Sequence, residues 1–327
     1  MRENVSLKEY STFKIGGIAR FFCVAKDEEG AKAALDFAIK NKLKVFVIGK
    51  GSNLLISDRG WDGLVLKLEM NGMHIDAAAD GYIVTLGCGA YLTKSILSLQ
   101  KEGISGLEWA AGIPATLGGA VSNNAGAHGK DMGGSVKSVS VIEMRTSGED
   151  GVLESYVMRE MTGAECDFSY RDSIFKKTKK FVILGATLSL AKGDAAAMRD
   201  EISANMKNRT EKQPLEFPNV GSIFRNPVLS DASMEKFFRD NEDMRGVFKN
   251  NTIPAGWLIE QVGLKGKKVG SAMVSEKHAN FIVNAGGATA EEVVIMISMI
   301  KQKVRESFGI QLLEEIEYVG FQVTHGR

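Results

Sequence analysis

The 327 residues carry 41 Lys and Arg against 40 Asp and Glu, with 44% hydrophobic and 25% charged residues. That is a globular composition, long enough for roughly two or three cores. A net charge of +1 gives no global field to draw nucleic acid or an anionic membrane. Cys23, Cys88 and Cys166 are widely spaced, which argues against a disulfide framework and for a reducing compartment. Four scattered histidines show no ligand spacing, so no metal is expected. The N-terminus has no apolar core segment, and no stretch approaches the ~18 apolar residues of a membrane span. A cytoplasmic protein is expected.

In chain order, the first third reads as α/β. Asp27 caps a predicted helix running to about residue 42, with Ala31, Ala34, Leu35 and Ala38 on one face. A strand at 45–48 leads into the glycine loop Gly49-Lys-Gly-Ser-Asn-Leu-Leu55. Residues 64–68 and 82–86 read as further strands, and 93–102 as a short helix ended by Gly103. The stretch from Gly106 to Gly129 then packs six glycines and six alanines into 24 residues. Ordering so much glycine is costly unless the backbone must bend sharply or approach something closely. Two such loops, with small hydroxyl and amide side chains, suit a large phosphorylated ligand, although tight structural turns would look the same. Neither loop is a Rossmann fingerprint or a P-loop, since the last glycine of the one and the Gly-Lys-Ser/Thr of the other are missing.

Beyond the long loop, 136–144, 151–158 and 181–190 read as strands, and 194–209 as a polar helix. Four of the five prolines follow residue 210, which places a boundary near 190–215. The last helix begins at Thr289, where Thr289-Ala-Glu-Glu292 forms a capping box, and buries Val293, Ile297, Ile300, Val304 and Phe308. Lys176, Lys177, Lys179 and Lys180 lack interleaved aromatics and read as a solvated loop.

Three polar sites bear on chemistry. Arg171, in Tyr170-Arg-Asp-Ser173, is suited to gripping a carboxylate bidentately, or to a surface ion pair with Asp172 or Asp167. Ser222, in Gly221-Ser-Ile-Phe-Arg-Asn-Pro227, follows a glycine turn, with no histidine near in sequence to act as its base. Glu314, Glu315 and Glu317 lie on a predicted strand within 309–320; an inward-facing carboxylate there would handle protons, and periodicity does not say which one.

The order of these motifs resembles one family. Ser11-Thr-Phe-Lys-Ile-Gly-Gly17, Val47-Ile-Gly-Lys-Gly-Ser-Asn-Leu-Leu-Ile-Ser-Asp58, the long glycine loop, Tyr170-Arg-Asp-Ser-Ile-Phe175, Gly221 to Pro227, Ala255-Gly-Trp-Leu-Ile-Glu260 and Ser275-Glu-Lys-His-Ala-Asn-Phe-Ile-Val-Asn284 follow one another as in the UDP-N-acetylenolpyruvoylglucosamine reductases. The short run from Arg171 to residue 181 resembles the shorter type, without the inserted substrate-covering loop.

That resemblance implies an α+β chain: a two-lobed FAD-binding fold of the vanillyl-alcohol oxidase type, then a smaller substrate domain. Lobes at 1–75 and 76–205, a substrate domain at 206–312 and a C-terminal strand and tail at 313–327 carrying the catalytic Glu are expected. It implies an oxidoreductase acting on a CH–CH group with FAD bound and NADPH as co-substrate. UDP-N-acetylglucosamine enolpyruvate would be its substrate, in peptidoglycan synthesis, which serves cell shape and division. Gly49, Lys50, Gly51, Ser52, Asn53, Leu54, Gly112, Ile113, Pro114, Thr116, Gly118, Gly119, Ala120, Asn124, Gly126, Ala127 and Arg171 match cofactor positions. Arg171, Ser222 and Glu315 match the catalytic trio, and Lys212 and Asn226, with Arg171 and Ser222, the substrate site. The chain departs from the family at Ala115, His128 and Glu317, where glycine, tyrosine and arginine are common. A monomer with no nucleic-acid or membrane partner is expected.

Overall fold

In the computed structural model, residues 1–147, 151–248 and 250–321 are described. The final residues of the expected C-terminal tail, 322–327, lie outside them. The chain folds into two compact units, each discontinuous in sequence. One comprises Met1–Ser6, Ile18–Gly51 and Trp61–Glu211; the other comprises Leu7–Gly17, Ser52–Gly60 and the chain from Lys212 onward. Helices and strands are mixed throughout, so the fold class is α+β.

The first unit holds two sheets. One has strand order Arg2–Ser6, Ile18–Ala25, Trp61–Leu68, Val45–Ile48. Its first pair is antiparallel and the other two are parallel. The helix Glu28–Lys40 covers this sheet. Asp27 caps it through Gly30 N (2.7 Å), and Ala31, Ala34, Leu35 and Ala38 are its buried residues, as the sequence pattern requires. The second sheet is antiparallel, in the order Val152–Thr162, Val136–Ser147, Phe181–Lys192, Gly81–Gly87, Met73–Ala78. Leu92–Lys101 is the short helix, and Gly103 leaves it at φ +67°.

The polar helix Ala195–Lys212 buries only Met198 and Ile202. It is held to the glycine-rich stretch partly by Asn205 Nδ2, which donates to the Glu108 carbonyl (3.1 Å).

The second unit packs the helices Asp231–Asp240, Ala255–Gln261 and Ala290–Phe308 with a small antiparallel sheet, Lys268–Val269, Ala272–Val274 and Ile282–Asn284. Leu54–Ile56 pairs in parallel with Glu317–Val319. Phe13, Ile15 and Leu55 join the core of Ile223, Phe224, Leu258, Ile297 and Ile300. Thr289 Oγ1 accepts from Glu292 N, and the Glu292 carboxylate accepts from Thr289 N. Asp58 Oδ2 adds a bond from Ala290 N (2.8 Å). Thr289→Ala is therefore expected to cost about 1 kcal/mol, read as a lower urea midpoint with an unchanged slope.

Two expectations need correction. The stretch carrying Glu314, Glu315 and Glu317 is a strand only at Glu317–Val319; Glu314 makes a single bridge, to Phe224. None of the three glutamates is buried: Glu314 instead pairs with Lys301 (2.9 Å), and the inward positions go to Leu312, Ile316 and Val319. On the last helix Phe308 is only half-buried, its ring set against Trp257 (5.8 Å between centroids). Among the described residues no helix is long and apolar enough to cross a membrane.

Candidate functional site

In the first unit the two glycine loops meet. A β-carbon on Gly49 would stand 2.6 Å from Thr116 Oγ1, and one on Gly118 3.0 Å from Cys88 Cβ. Thr116 caps the helix Leu117–Ser122 through Gly119 N (3.4 Å), and Gly112 N donates to Thr93 Oγ1 (3.1 Å). Glycine at these positions lets the loops pack as bare backbone against Thr116 and Cys88, a compact shape whose small residues leave room for close approach of a large flat or phosphorylated ligand and so fit FAD. Lys50 Nζ lies 5.2 Å over the Tyr91 ring.

Arg171 belongs to the same unit. It holds φ +56°, and its Nη2 donates to the Gly126 carbonyl (2.6 Å). A β-carbon on Gly126 would stand 2.8 Å from Arg171 Nη1, so glycine there keeps the guanidinium in place. Asn124 ties the long glycine loop to the stretch carrying Arg171: its Nδ2 donates to the Ser169 carbonyl (2.8 Å), and its Oδ1 accepts from Gly133 N (2.9 Å). Ser173 Oγ donates to the Ser122 carbonyl (2.6 Å). Asp167 pairs with Lys177 (2.5 Å) and Asp172 accepts from Ser173 N (3.0 Å). Between Arg171 and the strand at Phe181 lies only the short helix Ile174–Thr178.

In the second unit Ser222 follows Gly221, whose φ of +81° makes the turn. The residues after it are pinned by the buried Asn280. Its carbonyl accepts from Ile223 N (2.8 Å), its Oδ1 accepts from Phe224 N (3.0 Å), and its Nδ2 donates to the Phe224 carbonyl (2.9 Å). Glu315 N donates to the Ile223 carbonyl (2.8 Å), so the fold brings Glu315 beside the Ser222 turn.

Asn53 contributes to this arrangement from far away in sequence. Its Nδ2 donates to the Glu315 carbonyl (3.2 Å), and its own carbonyl accepts from Glu317 N (2.9 Å). The chain passes from the first unit to the second between Gly51 and Ser52, so Ser52, Asn53 and Leu54 belong to the unit of Ser222 and Glu315. Asn226 Oδ1 accepts from Ala255 N (2.9 Å), capping the helix Ala255–Gln261, and its Nδ2 has no partner among the described residues. Lys212 is exposed, with no ion pair among them.

Asn280 lies in a motif read from the sequence, but its clamp on the Ser222 turn carries no local signal. His278, two residues earlier, has its pKa lowered, chiefly by burial, and its Nδ1 accepts from Asn280 N (3.2 Å).

Residues 19–154 match the model of an FAD binding domain, and residues 213–319 that of the UDP-N-acetylenolpyruvoylglucosamine reductase C-terminal domain. A UDP-N-acetylenolpyruvoylglucosamine reductase of Anoxybacillus flavithermus is 40% identical over 98% of this chain and 94% of its own. The chain belongs to the UDP-N-acetylenolpyruvoylglucosamine reductase family. The Bacillus velezensis member is 39% identical over 97% of this chain and 93% of its own. A solved Thermus caldophilus reductase of this family superimposes with a TM-score of 0.71 at 28% identity, covering 96% of this chain and 97% of that one. Membership makes the protein an FAD-dependent oxidoreductase, and both glycine loops up to Ala127 lie inside the matched FAD binding domain.

Proposed function

We propose that this protein, of the family's shorter type, reduces UDP-N-acetylglucosamine enolpyruvate to UDP-N-acetylmuramate with NADPH, as a cytoplasmic monomer supplying peptidoglycan precursor. The observation that carries the reading is 40% identity to a reductase over 98% of the chain. Lobes 1–75 and 76–205 hold FAD, 206–312 binds the UDP-sugar, and the stretch from 313 carries the catalytic Glu.

Gly49 to Leu54, together with Gly112, Ile113, Pro114, Thr116, Gly118, Gly119, Ala120, Asn124, Gly126 and Ala127, hold the cofactor. When bound, FAD would supply hydride-transfer chemistry between NADPH and the vinyl group of the substrate. Adding hydride at the terminal vinyl carbon leaves an electron pair on the neighbouring carbon, delocalised into the carboxylate. Arg171 grips that carboxylate as its charge grows, and its bond to the Gly126 carbonyl preorients the guanidinium. Glu315, held beside the Ser222 turn, would add a hydrogen-bond donor to the same group when it carries a proton. Ser222 Oγ–H gives its proton to the electron-rich carbon, completing addition of one hydride and one proton across the double bond. Lys212 Nζ and the Nδ2 of Asn226 offer hydrogen bonds to the substrate, at its phosphates and the reacting centre.

The test is anaerobic flavin absorbance of the FAD-loaded protein. NADPH should bleach the oxidised-flavin band, and the enolpyruvyl substrate should restore it. Bleaching without recovery would discard the substrate, and a protein colourless even after incubation with FAD would discard the cofactor.

A further inference from the structure

The backbone that carries Glu315 has few fixed partners. Between Leu313 and Glu315 it makes a single bridge, Glu314 to Phe224. That bridge is closed by bonds from Arg225 N to the Leu313 carbonyl (2.9 Å) and from Glu315 N to the Ile223 carbonyl (2.8 Å). Beyond it the partner changes to Asn53. No continuous ladder of hydrogen bonds holds this segment, as it would hold a strand within a sheet.

Side chains supply what the ladder does not. In extended backbone successive side chains point to opposite sides. Leu312 is fully buried and Leu313 is 62% exposed, so Leu312 and Glu314 face the core while Leu313 and Glu315 face away from it. On the core side Glu314 meets the helix Ala290–Phe308, where its Oε1 accepts from Lys301 Nζ (2.9 Å). The helix is a firm anchor, since its capping box closes one end and Val293, Ile297, Ile300 and Val304 are buried along it. The Lys301 and Glu314 side chains are only 29% and 22% exposed, so water and salt screen their attraction less than that of a surface pair. Burial and the nearby Glu314 charge push the Tyr318 hydroxyl up, so Tyr318 stays neutral and offers Glu314 no second cation. An open groove of about 530 Å³ flanks the pair, lined also by Arg305 and Gln311. Close packing does not confine Glu314 on that side; the ion pair does.

We propose that Lys301, acting through Glu314, is a positioning residue that holds Glu315 at the reaction site. The proposal rests on the reading that Glu315 serves reduction of the enolpyruvyl group. Glu314 cannot shift without carrying its chain neighbour. Losing the pair frees residues 313–315 to move toward the groove, and a displacement of about 1 Å at a reacting group lowers a rate by up to roughly 10²-fold.

The test uses the full-length, FAD-loaded protein as wild type, Lys301→Met, Lys301→Arg, Glu314→Gln and the double variant of Lys301→Met with Glu314→Gln. In anaerobic stopped flow, Lys301→Met should slow reoxidation of the reduced flavin by the enolpyruvyl substrate about 10-fold, inside the range of such misplacements. Reduction by NADPH should keep its wild-type rate. KM for the substrate should also remain unchanged, because Glu315 is called on as the substrate carboxylate gains charge and not in the ground state. Lys301→Arg keeps the cation and should restore the rate. Glu314→Gln should match Lys301→Met, and the double variant should be no slower than either, since all three remove one interaction.

Reoxidation at the wild-type rate in Lys301→Met would overturn the proposal. So would equal slowing of both half-reactions, a raised KM with kcat unchanged, failure of arginine to rescue, or single effects that multiply in the double variant. A Glu315→Gln variant that reoxidises at the wild-type rate would strike the reading of Glu315 instead.

Discussion

Ser222→Ala is expected to leave reduction of the bound flavin by NADPH nearly unchanged while slowing its reoxidation by substrate at least ~10²-fold. The two effects separate because the hydroxyl is needed only when substrate carbon accepts a proton. A serine hydroxyl is a weak acid, yet its acceptor is a strongly basic carbon, so the transfer still runs downhill. The substitution should be structurally silent. The turn comes from Gly221 at φ +81°, and the following backbone is held by Asn280, neither of which uses the Ser222 side chain. Stopped-flow absorbance of each half-reaction checks this, and equal slowing of both would remove Ser222 from the proton-donor role. Asn280→Ala should weaken the same step indirectly, by releasing the clamp on the Phe224 peptide.

Gly17→Ala is expected to destabilise the protein by about 2–4 kcal/mol, through a backbone clash rather than a strained φ. A β-carbon there would stand 2.2 Å from the Asp58 carbonyl oxygen and 2.5 Å from Gly60 N. Neither atom can swing aside as a side chain would. Gly17 N donates to the Ser57 carbonyl (2.9 Å) and its own carbonyl accepts from Leu7 N (2.9 Å), so the clash would force apart two segments of the second unit. The Asp58 side chain also caps the helix Ala290–Phe308, which extends the damage. Urea unfolding followed by circular dichroism measures the loss. Gly72→Ala is the control: nothing lies within 4 Å of its added carbon, and a change within about 0.5 kcal/mol is expected. A Gly17 variant as stable as that control would show that the segment relaxes freely.

These two residues also show how legibility divides. The Ser11 to Gly17 motif was recognisable as a string, but its reason, contact with residues 57–60, was not. The helix caps of Asp27 and Thr289 were legible because each is satisfied within four residues. The glycine loops were legible because glycine density records backbone shape directly. The helix Asp231–Asp240 passed unread: its Met234, Phe237 and Phe238 are explained by packing, Phe237 lying 5.9 Å from Trp257 and 6.1 Å from Phe308. Around Glu315 the alternation suggested a long strand. In the fold this backbone bonds first to Arg225 and Ile223, around the single Phe224–Glu314 bridge, and then to Asn53, so its partner changes within a few residues.

The sequence by itself determined the local elements and the order of motifs that marks the family, because capping, periodicity and glycine placement act over a few residues. Only the tertiary structure decided that residues 7–17 and 52–60 pack with the C-terminal third, that Asn53 and Asn280 hold the backbone around Glu315 and Ser222, and that the stem of Arg209 lies against Gly112. Each of these joins groups far apart along the chain. Such pairings are selected by burial and hydrogen bonding of the whole fold, which leave no periodic trace in the residues they connect.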